Sequence, residues 1–258
     1  MSRFLKLYEL LAAGRPPRSA DPMQRPGLFV PDLTSRAWHD ASAFAWCKDV
    51  EAAAPAIREE VLRLRSGPAS FVPYLEPARP LPGTTEWGLK ALHDRGSWDV
   101  LYFDLAGRSF AANKEACPVT ASVLSAVPRI TTSSMFSALA PGSHIPSHCG
   151  PSNAFLRVHL GLVVPEGCAM RVGRETRGWA EGKCLVFDDS FEHEVWNRGR
   201  ETRIVLIFYV YHPEFADAEV EELSLLREEV GLGEEDLWKR IADDMLAGRY
   251  PLRRVARA

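Results

Sequence analysis

The most restrictive feature of this chain is a series of short β-type runs. They read DVLYFDL (99–105), TSSMFSAL (132–139), FLRVHLGLVV (155–164), AMRVG (169–173), KCLVF (183–187), HEVWN (193–197) and RIVLIFYVY (203–211). Proline and glycine clusters separate them. Strands at this spacing predict an antiparallel sandwich or barrel such as a jelly roll. The expected body is therefore mainly β, from about 95 to 212, with helices flanking it at both ends. Residues 3–13 predict a helix with Phe4, Leu7, Tyr8 and Leu11 on one face. GRPPRSADPMQRPG (14–27) then reads as a linker. Residues 41–66 predict further helix, kinked or split at Pro55. A loop-rich stretch follows over 67–98, then a short helix over 116–126, and helical patterns over 214–247 close the chain. The expected organisation is an N-terminal helix and linker (1–27) ahead of a single domain (28–258).

Bulk properties narrow the partners. The chain has 258 residues, 46% of them hydrophobic, and a net charge of −3 with both signs interspersed. That suffices for a real core and provides no basic stripe, so a nucleic-acid partner is not expected. The cysteines, Cys47, Cys117, Cys149, Cys168 and Cys184, are odd in number and form no CxxC pair. Neither a disulfide framework nor a structural zinc site is expected, and a reducing cytoplasm fits. Lys6 and Glu9 interrupt MSRFLKLYELLAAG, which favours an amphipathic helix over a signal peptide. The longest apolar run, IVLIFYVY (204–211), is too short to span a bilayer as a helix, so no membrane insertion is expected.

Chemistry concentrates around DDSFEHEVW (188–196). His193 sits there among acids and aromatics, and ten positions on Arg203 opens an almost wholly apolar strand. A buried lone charge is very costly, so this arginine needs an anion, and a carboxylate gripped by two N–H groups is the natural one. Non-haem iron oxygenases present two histidines and a carboxylate on one face of the metal. The usual order is His-x-Asp or His-x-Glu, a distal histidine, and a cation about ten residues later that holds 2-oxoglutarate. The second half of that pattern is present. The first half reads His148-Cys149-Gly150, with glycine where the acid should stand. On residues alone the iron site is incomplete, and ordinary core roles for these histidines remain open.

Three segments extend the comparison: PGSHIPSHCGPSNAFLRVHLGL (141–162), GWAEGKCLVFDDSFEHEVWN (178–197) and RIVLIFYVYHPE (203–214). Together they resemble the aspartyl/asparaginyl β-hydroxylases, strongly over about 95–215. The resemblance implies a double-stranded β-helix (jelly-roll, cupin-like) core and an iron(II)- and 2-oxoglutarate-dependent dioxygenase that uses O2. In that family glycine replaces the acid, so His-Cys-Gly is the expected pattern, with water completing the metal shell. The resemblance implies His148 and His193 as iron ligands. It implies Ser137 and Arg203 at the far carboxylate of 2-oxoglutarate, His159 near the carboxylate beside the keto group, and Arg157 pairing with an acidic substrate group.

Strand geometry offers independent expectations. Phe155, Arg157, His159 and Gly161 alternate with Leu156, Val158, Leu160 and Leu162, so Arg157 and His159 share one face and the leucine-rich face packs. Glu194 and Cys149 should point away from their histidine neighbours. Asp188 and Asp189 precede a strand, where turn and supporting roles are expected before metal ligation. The expected substrate is an Asp- or Asn-type residue of a peptide or protein, hydroxylated at its β-carbon. The alternatives are a free amino acid, another small molecule or a lipid acyl chain, and a non-catalytic jelly roll that binds a ligand or senses 2-oxoglutarate.

Overall fold

The computed structural model describes residues 3–66, 71–78, 88–230 and 235–249. Helices α1 (Arg3–Ala12), α2 (Cys47–Ala52) and α3 (Ala54–Ser66) precede the β body, α4 (Ala111–Ala116) and α5 (Pro118–Ala126) lie within it, and α6 (Asp217–Val230) and α7 (Glu235–Leu246) follow it. The strands are β1 (Trp38–His39), β2 (Val72–Pro73), β3 (Leu75–Ala78), β4 (Gly88–Ala91), β5 (Trp98–Leu105), β6 (Arg108–Ser109), β7 (Ile130–Leu139), β8 (His144–His148), β9 (Phe155–Val163), β10 (Cys168–Val172), β11 (Glu175–Arg177), β12 (Cys184–Phe187), β13 (His193–Asn197) and β14 (Arg203–Tyr211).

One sheet runs β1-β12-β9-β14-β7-β5-β2, with β6 beside β5, and a second runs β11-β10-β13-β8. From β7 onward the chain crosses repeatedly between them, which is the jelly-roll winding the strand spacing predicted. Strands β3 and β4 form a separate hairpin. The large sheet is buried on both faces. Its outer face sets Leu101, Phe136, Leu156, Val158, Leu160, Leu206 and Phe208 against Val50, Ile57, Val61 and Leu124 of the helices. Its inner face sets Val100, Met135, Val205 and Ile207 against Ile145, Met170, Val172 and Val195 of the small sheet. That two-sided burial explains why β14 is apolar throughout instead of alternating. Arg203 has the same parity as Val205 and Ile207 and so faces inward.

Several local expectations changed. Pro55 splits the helical region: α2 ends, and Pro55 stands in the first turn of α3, where its missing N–H is unneeded. On α1 only Phe4 and Leu7 of the expected face are buried, packing with Phe215 and Leu223. Tyr8 is 69% and Leu11 43% exposed, because the contact covers a narrow stripe. Strand β8 carries Pro146 in HIPSH and has no apolar alternation; it lies at a sheet edge, where a missing N–H is tolerated. The 67–98 stretch contains β2, β3 and β4, although 67–70 and 79–87 lie outside the described residues. Within 14–27, Gln24 is buried and bridges to Phe191.

Candidate active site

Strands β8 and β13 run antiparallel and place His148 directly opposite His193. Their ring centres are 4.1 Å apart. Each Nδ1 faces the carbonyl two residues earlier: Pro146 O at 2.9 Å for His148 and Phe191 O at 3.0 Å for His193. A neutral imidazole in that position carries its proton on Nδ1 and keeps the Nε2 lone pair free. Nε2 of His193 is buried without a protein partner. Burial, opposed by the Pro146 carbonyl and reinforced by nearby Arg157, pulls His148 down to about 4. Burial, with His148 and Arg157 beside it, pushes His193 well below its ordinary range. Both rings are neutral near pH 7, as metal ligands must be. With both Nδ1 atoms turned to carbonyls and the rings side by side, the pair could hold one ion through Nε2.

Among the described residues, no group of three or more His, Cys, Asp or Glu side chains converges as a metal site. Gly150, two residues past His148, shows why no carboxylate stands there. A Cβ on Gly150 would lie 2.5 Å from Asp189 Cγ and 2.5 Å from its Oδ1. The Asp189 carboxyl therefore fills the space that a side chain at 150 would need. Asp189 is 1% exposed and forms an ion pair with Arg157 Nε at 3.1 Å, without hydrogen-bond alignment. Burial raises its pKa, and Arg157 opposes the rise. Asp188 behaves as a turn aspartate, its Oδ1 accepting from Ser190 N at 2.9 Å. Glu194 points away from the His pair, toward His144 and Arg171.

Among the described residues Arg203 is the largest fully buried side chain, at 1% exposure. Its Nη2 reaches Ser137 Oγ at 3.5 Å, its guanidinium lies 4.9 Å from the Trp179 ring, and its Nε is unpartnered. Among the described residues no carboxylate compensates it, and burial pulls its pKa down to about 10. Ser137 Oγ accepts from Trp98 Nε1 at 2.8 Å, which leaves the hydroxyl proton free to donate. His159 Nδ1 accepts from Trp179 Nε1 at 3.3 Å, so its proton belongs on Nε2, which is buried and unpartnered. Burial, then Arg157, Arg203 and His193, hold this ring far below its usual range. Arg157 stands opposite Tyr209, with its guanidinium 4.7 Å from that ring.

All six residues selected from sequence, Ser137, His148, Arg157, His159, His193 and Arg203, line one narrow pocket between the sheets. Ile145, Met170, Val195 and Ile207 give it apolar walls. Sequence reading overlooked two tryptophans. Trp98 holds Ser137, and Trp179 holds His159 and covers Arg203. The glycine-flanked GWAEG was visible, but no periodic pattern marked the ring as part of a site. The pocket offers free imidazole lone pairs, an uncompensated buried cation, a fixed N–H donor and, in Arg157, a second and less deeply buried cation.

A jelly roll with such an interior defines a protein whose candidate functional site lies between its two sheets. The chain belongs to the aspartyl/asparaginyl β-hydroxylase family, whose pattern matches residues 51–213. It is 37% identical over 171 residues to an ornithine lipid ester-linked acyl 2-hydroxylase of Rhizobium tropici, covering 65% of this chain and 58% of that one. It is 43% identical over 131 residues to human aspartyl/asparaginyl beta-hydroxylase, covering 48% of this chain and 17% of that one. It is 35% identical over 216 residues to mouse aspartate beta-hydroxylase domain-containing protein 1, covering 79% of this chain and 56% of that one. The match thus spans between 17% and 58% of these relatives' lengths. Solved structures of similar fold include AviO1 from Streptomyces viridochromogenes, at 14% identity and TM-score 0.38 over 65% of this chain and 86% of that one. Another is the Schizosaccharomyces pombe Cnp3 cupin domain, at 9% identity and TM-score 0.33 over 64% of this chain and 97% of that one. Among the described residues no helix is long and apolar enough to cross a membrane.

Proposed function

We propose that this protein is a hydroxylase, an iron(II)- and 2-oxoglutarate-dependent dioxygenase. The observation that carries the proposal is Arg203, buried without an anion in the cavity lined by two imidazoles whose Nδ1 protons are already committed. A dicarboxylate supplies the missing charge, and its keto-acid end would lie toward the histidines. His148 and His193 would hold the iron through Nε2. Iron(II) with 2-oxoglutarate and dioxygen supplies the oxidative decarboxylation, to succinate and carbon dioxide, that drives hydroxylation of an unactivated C–H bond. The protein's own contribution is placement. Arg203 and the Ser137 hydroxyl grip the far carboxylate, His159 donates from Nε2 to the near one, and the apolar walls exclude water.

For the substrate we propose the β-carbon of an Asp- or Asn-type residue in a peptide or protein, with Arg157 as the contact for its acidic group. The Rhizobium lipid hydroxylase supports a second reading, an acyl chain or other small molecule, because that match covers more of this chain than the human one does. The free imidazole lone pairs argue against a binding-only protein, which has no use for them. All five cysteines are free, which supports a cytoplasmic setting. Incubation with iron(II), ascorbate and labelled 2-oxoglutarate tests the proposal. Succinate formation that requires iron is expected; no succinate with any substrate mixture, together with no iron binding, refutes it. Mass spectrometry of cell extracts for a +16 Da product, the mass of one added oxygen, then separates peptide from lipid.

A further inference from the structure

Residues 21–25 lie outside the family match at 51–213 and still form a short ladder with the segment leading into His193. Glu192 N donates to Met23 O at 2.6 Å, Arg25 N donates to Ser190 O at 3.1 Å, and Gln24 bridges to Phe191. Gln24 is 3% exposed and uses its whole amide. Its Nε2 donates to Asp188 Oδ2 and to Ser190 Oγ, both at 2.9 Å. Its Oε1 accepts from the Ser19 and Ser35 hydroxyls, both at 2.6 Å. An amide has two donors and two acceptor sites, so none is idle.

What this ladder holds is specific. Phe191 O accepts the Nδ1 proton of His193 and so sets its ring plane and tautomer. The same turn carries Asp189, whose carboxyl fills the space beside Gly150. We infer that Gln24 is a positioning residue for His193, acting through the Asp188–Ser190 turn, and that the strap at 21–25 is part of the catalytic unit. The effect on metal rests on His193 being a ligand. A merely structural strap would stabilise the fold and leave the ring unchanged.

The test uses the full chain with Gln24→Ala and Gln24→Glu. Gln24→Glu keeps the side chain's shape and its acceptor toward the two serines but turns an oxygen toward Asp188. Ser190→Ala, which deletes one acceptor and spares the backbone bonds, decides the matter if both unfold. Thermal melting shows that each variant is folded. Anaerobic iron(II) titration should show binding weakened about 10- to 100-fold, the usual effect of losing a group that supports a ligand. Nitrogen-15 NMR of the metal-free protein should show His193 as a single Nδ1–H tautomer in the wild type and a mixture in the variants. A folded Gln24→Ala protein with wild-type iron affinity and an unchanged tautomer overturns the inference. Equal iron binding by His193→Ala instead overturns the ligand assignment, and the tautomer measurement still judges the strap.

Discussion

Replacing Arg203 with methionine should stabilise the ligand-free protein and abolish its response to 2-oxoglutarate. The guanidinium is buried and uncompensated, and burial pulls its pKa from 12.5 to about 10. Each pKa unit corresponds to about 1.4 kcal/mol, so the charged form costs the fold about 3 kcal/mol. Methionine keeps an unbranched stem. It loses the contact with Trp179, worth about 1 kcal/mol. The net gain of about 2 kcal/mol corresponds to a melting point about 4–8 °C higher for a chain of this size. The sign sets a pH signature. A base whose folded pKa is depressed destabilises the fold below that pKa, and the cost fades as pH rises from about 10 toward 12.5. The advantage of Arg203→Met should therefore be full at pH 7–9 and shrink above pH 10. Calorimetry with and without 2-oxoglutarate measures both halves. At a concentration about 100 times its Kd the ligand should stabilise the wild type by about 2.7 kcal/mol and leave the variant unmoved. A variant that melts several degrees lower without ligand would make Arg203 a structural cation. Equal stabilisation by 2-oxoglutarate in both proteins would remove the clamp role.

Other perturbations address the remaining groups. His193→Ala should abolish iron binding; unchanged stoichiometry in equilibrium dialysis would take His193 out of the ligand set. Gly150→Asp should lower the melting temperature, because the new Cβ meets Asp189 at 2.5 Å and overpacking costs about 1–3 kcal/mol. Adding Asp189→Ala should recover part of the loss, and a Gly150→Asp protein as stable as the wild type would show that the space is not filled. Trp179→Phe removes the donor to His159 Nδ1 and keeps an aromatic face near Arg203. The 2-oxoglutarate concentration for half-maximal succinate formation should rise about tenfold with iron retention unchanged; an unaltered requirement would show that the His159 tautomer does not matter.

The missing carboxylate shows how sequence and structure divide the explanation. The glycine of His-Cys-Gly is visible in the sequence, yet sequence reading offers only a family precedent for it. The structure supplies a steric reason, since Asp189, distant along the chain, occupies the space, held by its ion pair with Arg157. Arg157 was expected to meet an acidic substrate. It already faces one protein carboxylate, so a substrate anion would share the guanidinium with Asp189.

By itself the sequence determined what depends on local periodicity and residue chemistry. Alternation placed Arg157 and His159 on one face of β9 and its leucines on the other. The run RIVLIFYVY announced an almost wholly apolar strand, and an arginine inside it announced a missing anion. Only the tertiary structure could decide what depends on contacts between distant segments. It paired His148 with His193 across β8 and β13, the former strand hidden by Pro146 and a lack of apolar alternation. It set Trp98 on Ser137 and Trp179 on His159, and it drew residues 21–25, which read as a linker, against the turn before His193. The physical reason is that side-chain period along a strand is local, whereas register between strands and the filling of a buried cavity depend on the whole fold.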